Sequence, residues 1–142
     1  MDRGAIVMDN NYFTPPEDAV DTPISIIWIR GDVIFSLLKE GYDPDSVEAN
    51  KKTFDAMQKL AGKSKVGLIA ETTHLKQGSK EVRRYASRRM VELFYATAYI
   101  TPNVFSKMVM TAFLTLANPP YPVKFFLKTE EALKWLEKQR EQ

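Results

Sequence analysis

Lys65-Val66-Gly67-Leu68-Ile69-Ala70 is a short run with no polar residue after its first. A segment of that length without polar alternation suits a strand covered on both faces. Ahead of it, Val47, Phe54 and Ala61 recur every seven residues with Met57 and Leu60 on the same side, which predicts an amphipathic helix. Asp45-Ser46-Val47-Glu48 reads as its capping box with Asp45 as the cap, and Gly62 is its stop. Behind the run, a loop from Glu71 to Gly78 leads to Ser79, placed to cap a helix from Lys80 to about Arg89. A strand held between two helices is the repeating unit of a parallel sheet.

The same alternation extends in both directions. Upstream, Ile24 to Ile29 and Val33 to Leu38 flank Arg30-Gly31-Asp32, a hairpin with a glycine turn. Arg-Gly-Asp also spells an integrin ligand, but a chain with no secretion signal needs only the turn. Downstream, Phe94 to Ile100 reads as a strand, and Pro102-Asn103 opens a helix from Val104 to about Ala117. Asn118-Pro119-Pro120-Tyr121-Pro122 ends that helix, Val123 to Leu127 forms a strand, and Thr129 caps a last helix. Glu130 and Glu131 suit the dipole of its first turn, and Ala132, Leu133, Trp135 and Leu136 form its inner face. The expected fold class is α/β: an open mixed sheet of about five strands, opened by an antiparallel hairpin and flanked by about four helices.

Residues 1–22 read as an acidic N-terminal leader, with Asp2, Asp9, Glu17, Asp18 and Asp21 against Arg3. Ala5 to Met8 suits a short strand, Thr14-Pro15-Pro16 breaks it, and the stretch through Asp21 is expected to be solvated. Residues 23–142 are then a single domain, a length that buries a real core without staples. No basic start with an apolar run marks a signal peptide, and no stretch nears the ~20 apolar residues of a membrane span. A cytoplasmic location is expected. A net charge of +2 gives no global case for nucleic acid. Cysteine is absent and His74 is the sole histidine, which excludes thiolate chemistry and multi-histidine metal sites. No metal or other cofactor is expected.

From about Ile26 to Leu136 the chain resembles the STAS-type, SpoIIAA-like family of small bacterial proteins. The resemblance rests on signatures in order: the turn at Gly31-Asp32, Leu60-Ala61-Gly62, Ser79-Lys80-Glu81-Val82-Arg83, Asn118-Pro119-Pro120-Tyr121-Pro122 with Phe125, and Thr129 to Leu136. It implies an open sheet flanked by helices, and a protein- or ligand-binding role more than catalysis. Its members that antagonise anti-sigma factors carry a phosphorylatable serine at the start of the helix after the central strand, where Ser79 stands here. Gln77-Gly78-Ser79-Lys80 lacks their aspartate-serine-serine-glycine run, which counts against phosphorylation by a partner kinase. The family's acidic residue at the strand end, usually aspartate, falls on Glu71.

Two constellations are candidates for function. The first is anionic recognition at Gly78, Ser79, Lys80, Arg83 and Arg84. Free amides at a helix start, joined by cations, make a cradle for phosphate or carboxylate. Lys80, Arg84 and Arg88 share one face, with Val82, Tyr85 and Ala86 opposite. The plainer reading is a solvated basic face with Ser79 as a cap and an arginine paired to Glu71 or Glu81. The second is the helix from Val104. Phe105, Met108, Val109, Ala112, Phe113 and Leu116 make a full stripe, yet Met110 and Leu114 add apolar surface on another side. Burial under a neighbour, a homodimer interface or apolar pocket at Met110 and Leu114, and contact with a membrane surface compete there. The membrane reading is poor because Lys107 is the helix's only cation. Tyr121 among three prolines makes a rigid turn that can rim a pocket.

The function expected is therefore a binding or regulatory module for a protein partner or a small anionic or lipid-like ligand, with no catalytic residues. The alternative is an enzyme or phosphorylation switch using Ser79, for which no positioned base is evident. A nucleic-acid module has only one basic helix in its support.

Overall fold

A computed structural model describes residues 12–142. The strand expected at Ala5 to Met8 lies outside the described residues. The chain forms β1 (Val20–Asp21), β2 (Ser25–Arg30), β3 (Val33–Leu38), α1 (Val47–Ala61), β4 (Val66–Glu71), α2 (Lys80–Leu93), β5 (Phe94–Ile100), α3 (Val104–Ala117), β6 (Val123–Phe126) and α4 (Thr129–Arg140). The strands lie side by side in sequence order in one six-stranded sheet. β1, β2 and β3 are antiparallel neighbours, and β3 through β6 run parallel. The class is the mixed α/β sheet expected, with one strand more. Val20–Asp21 lies within the expected leader, and its backbone pairs with Ile27 and Ile26. Thr22 fixes it there: its hydroxyl donates to the Ser25 carbonyl at 2.6 Å and accepts from Thr53 of α1 at 3.1 Å.

The hairpin closes through Gly31 and Asp32, with Arg30 opposite Val33. Gly31 takes φ +60°, the left-handed geometry that a tight two-residue turn needs and that glycine adopts without a Cβ penalty. Asp32 is used structurally. Its carboxylate accepts from Tyr95 and Arg140 at 3.3 Å each, and its carbonyl accepts the Gly67 N–H at 2.8 Å.

Because side chains alternate along a strand, neighbours in sequence feed opposite faces. Trp28, Phe35, Ile69, Ala98 and Phe126 pack on one face under Ala132 and Leu136 of α4, with Trp28 stacked on Phe35 and Phe13 edge-on to both. Ile27, Ile34, Val66 and Leu68 pack on the other under Phe54 and Met57 of α1 and Leu93 of α2. Ile27, Ile34 and Ile69 are fully buried, each contributing about 1.5–3 kcal/mol. The central run read first from the sequence is buried from Val66 to Ala70.

Two caps differ from expectation by one residue. Ser46, not Asp45, caps α1, its Oγ accepting the Ala49 N–H at 3.0 Å. Asp45 is one step too early for that reach. Lys128 takes the cap position of α4 without a side-chain bond, so Thr129 is the first helical residue and is buried.

α1 and α2 are clasped by Arg89, whose side chain is only 10% exposed. Its guanidinium donates to Asp55 at 2.9 Å, Gln58 at 3.0 Å and Tyr85 at 2.7 Å, and lies 3.6 Å from Glu92. The anionic partners are thus Asp55 and Glu92, not Glu71 or Glu81. Glu71 instead accepts from the backbone and hydroxyl of Thr73. The bond from Arg89 holds the Asp55 carboxyl below the usual carboxylate range. Arg89→Leu should cost about 2 kcal/mol in urea unfolding, since it leaves Tyr85 and Gln58 without their partner. A depressed carboxylate stabilises the fold above its unfolded pKa of 3.8, and that contribution is lost as pH falls through its lower folded value. Acid titration of stability below pH 3.8 should therefore be shallower in Arg89→Leu than in the parent chain.

Candidate functional site

The C-terminal end of β4 feeds the head of α2 through residues 72–78, and that loop is pinned to the segment before α1. Tyr42 Oη accepts the Lys76 N–H at 2.7 Å, and Lys76 Nζ donates to the Tyr42 carbonyl at 3.2 Å. Gly78 fits closely: a Cβ there would lie 2.5 Å from the Pro44 carbonyl oxygen. Ser79 then caps α2 as expected, accepting the Val82 N–H at 3.3 Å. Lys80, Arg83, Arg84 and Arg88 are exposed, while Val82 is buried and Tyr85 and Ala86 are half-buried. The face division read from the sequence is thus present, with Arg88 lying over the Tyr85 ring at 5.3 Å. Gly78, Ser79, Lys80, Arg83 and Arg84 stand together at the head of one helix, all exposed except the half-buried Gly78.

α3 departs furthest from expectation. It spans the predicted residues, with Asn103 Oδ1 accepting the Ser106 N–H at 2.8 Å and Asn118 ending it in the left-handed conformation. Its fuller apolar stripe is turned away from the sheet. The stripe of Phe105, Met108, Val109, Ala112, Phe113 and Leu116 points outward, and no residue of the helix is buried. Met110 and Leu114, the apparent surplus, face inward and are half-buried. Both sides of the helix are apolar, so hydrophobic periodicity cannot tell the inner from the outer one.

Met110 and Leu114 line an apolar groove of about 290 Å³ between α3 and α2. Met90 and Ser87 form the α2 wall, Tyr99 and Phe125 the floor, and Tyr121 with Pro119 and Pro120 one end. The expected role of the proline turn as a pocket rim matches this position. Tyr99 in the floor and Tyr121 at the end carry polar atoms. Tyr121 shares a hydrogen bond of 3.0 Å with Thr97, and the Tyr99 hydroxyl lies 4.0 Å from the Met90 sulfur. The α2 wall and Tyr99 were absent from the sequence-based candidates, because a half-buried Met90 or Tyr99 has the same apolar signature as core.

Burial pushes the Tyr121 phenol up to about 12 and raises Tyr99 further. A tyrosine raised in this way stabilises the fold below its unfolded pKa of 10.0, and the contribution disappears as pH rises through the folded value. Stability should therefore fall between pH 10 and about 12, with tyrosinate absorbance appearing late in that window. Tyr121→Phe should reduce the slope, measured by denaturant unfolding across the same pH range.

The family model for a domain of unknown function, DUF7793, matches residues 27–140. No curated protein matches the chain. Among solved structures, the chain is similar to an uncharacterised DUF3478-family protein with a SpoIIAA-like fold from Shewanella loihica PV-4. The TM-score is 0.52 at 17% identity, covering 78% of this chain and 90% of that one. That likeness bears out the fold implied by the sequence signatures. The chain belongs to the DUF7793 family and has a SpoIIAA-like fold.

Proposed function

We propose that the chain is a non-catalytic binding module for an amphiphile, with the apolar tail in the α2–α3 groove and the anionic head on Arg83 and Arg84. The observation that carries this reading is the groove, whose lining is apolar apart from Ser87 and the two tyrosine hydroxyls. Its volume of about 290 Å³ falls near the lower end for small-molecule sites, which run from about 300 Å³. Arg83 lies one helical turn before Ser87, so the basic face begins where the groove wall ends. Catalysis is left out because the hydrogen bond at Ser79 Oγ comes from the Val82 N–H, which is the work of a cap.

Medium-chain fatty acids and lysophosphatidic acid should raise the thermal midpoint, by about 2.7 kcal/mol of stabilisation at a hundredfold excess over Kd. Leu114→Trp should abolish the shift by filling the groove. Arg83→Ala with Arg84→Ala should weaken the acids but not a neutral alcohol of equal chain length. An unchanged midpoint with every amphiphile, or a wild-type response from Leu114→Trp, would exclude the proposal.

Ser79 stands exposed at the head of α2, and this favours a second reading in which phosphorylation gates the same site. A phosphate there is attracted to the helix start and competes for Lys80 and Arg83. Ser79→Glu should weaken binding of the acids severalfold by calorimetry, with Ser79→Ala binding as the parent does.

A further inference from the structure

The outward face of α3 adjoins the groove at Phe113 and is otherwise unexplained by it. Val104, Phe105, Met108, Val109, Phe113 and Leu116 are 59%, 75%, 66%, 38%, 66% and 84% exposed. Taking ~150–200 Å² for a fully exposed large apolar side chain, these six present roughly 580–780 Å² of apolar surface. The largest apolar patch of an ordinary monomer reaches only about 300–600 Å². A standard interface buries about 800 Å² on each partner. The face therefore has the extent of one half of a dimer contact.

Its charge identifies the occupant. From Leu93 to Val123 the chain carries a single charged residue, Lys107, and Lys107 is half-buried. The chain as a whole is 27% charged, so this stretch is conspicuously neutral. A helix that lies on an anionic membrane needs cations beside its apolar stripe, and α3 offers only the half-buried Lys107. A charged protein partner would find nothing complementary. A second copy of the same face is different: twofold symmetry sets each face against itself, where like charges would repel and a neutral surface meets no penalty.

We propose that α3 is the interface of a homodimer, packed antiparallel on α3 of a second copy. In that arrangement the twofold axis passes near the middle of the helix. Phe105 faces Leu116 of the other copy, and Met108 faces its Ala112. Ala112 is the small residue that lets the helices approach to about 8–10 Å, with Met108 filling the space above it. Burial of the six side chains removes the exposed apolar surface that the isolated chain leaves in water.

Light scattering coupled to size exclusion on the full chain, from micromolar to millimolar concentration, should give twice the 16.3 kDa chain mass. Phe105→Glu and Leu116→Lys should each weaken self-association by at least about thirtyfold, as loss of a central anchor does. Both substitute exposed positions, so circular dichroism should show the fold intact. Combining them in one chain should restore the dimer, because Glu at 105 then meets Lys at 116 twice. The chain lacks cysteine, so Ala112→Cys introduces one thiol, and a short bismaleimide should link two copies through it. A wild-type chain that stays monomeric throughout this range overturns the proposal, whether or not it floats with phosphatidylcholine or phosphatidylserine vesicles. So does a dimer that survives Phe105→Glu and Leu116→Lys unchanged.

Discussion

The handedness of strand–helix–strand crossovers governs this molecule. A right-handed crossover places its helix on one particular side of the sheet, set by the direction in which the next strand is added. From β3 to β6 every addition goes the same way, so α1, α2 and α3 all fall on one face. α1 and α2 share the middle of that face and bury Phe54, Met57 and Leu93 there. α3 comes last, over the border strand β6, where the sheet offers little left to cover. An apolar helix with too little sheet beneath it keeps one side toward a groove and the other toward solvent.

The two helices that frame the groove are held in different ways. α2 is clasped to α1 through Arg89 and runs into β5 without a connecting loop, since Leu93 is its last residue and Phe94 begins the strand. α3 is carried between Pro102-Asn103 and Asn118-Pro119-Pro120, with main contact to β6. The basic head of α2 and the apolar groove wall are therefore parts of one helix.

The fold was readable because its signals are local. Gly31 in the hairpin, Gly62 after α1, Ser79 before α2 and Asn118 after α3 each act within a few residues of themselves. The central strand declares itself by being apolar throughout. What could not be read depends on distance in space. Val20 and Asp21 look like leader because their strand is defined by a partner, Ile26 and Ile27, and not by their own pattern. Arg89 sits in a basic run and only geometry separates it from its exposed neighbours. For α3, the sequence names every apolar residue correctly, but which of two apolar sides meets the sheet is decided by packing alone.

Among the described residues, the borders of the sheet are both very short. β1 contributes two residues, followed at once by Thr22 and Pro23, and β6 contributes four, entered through Pro122. Unpaired edge strands invite a neighbouring chain to add a strand of its own, and proline and brevity remove that invitation. Among the described residues, the sheet thus offers little edge for fibre-like stacking through backbone hydrogen bonds.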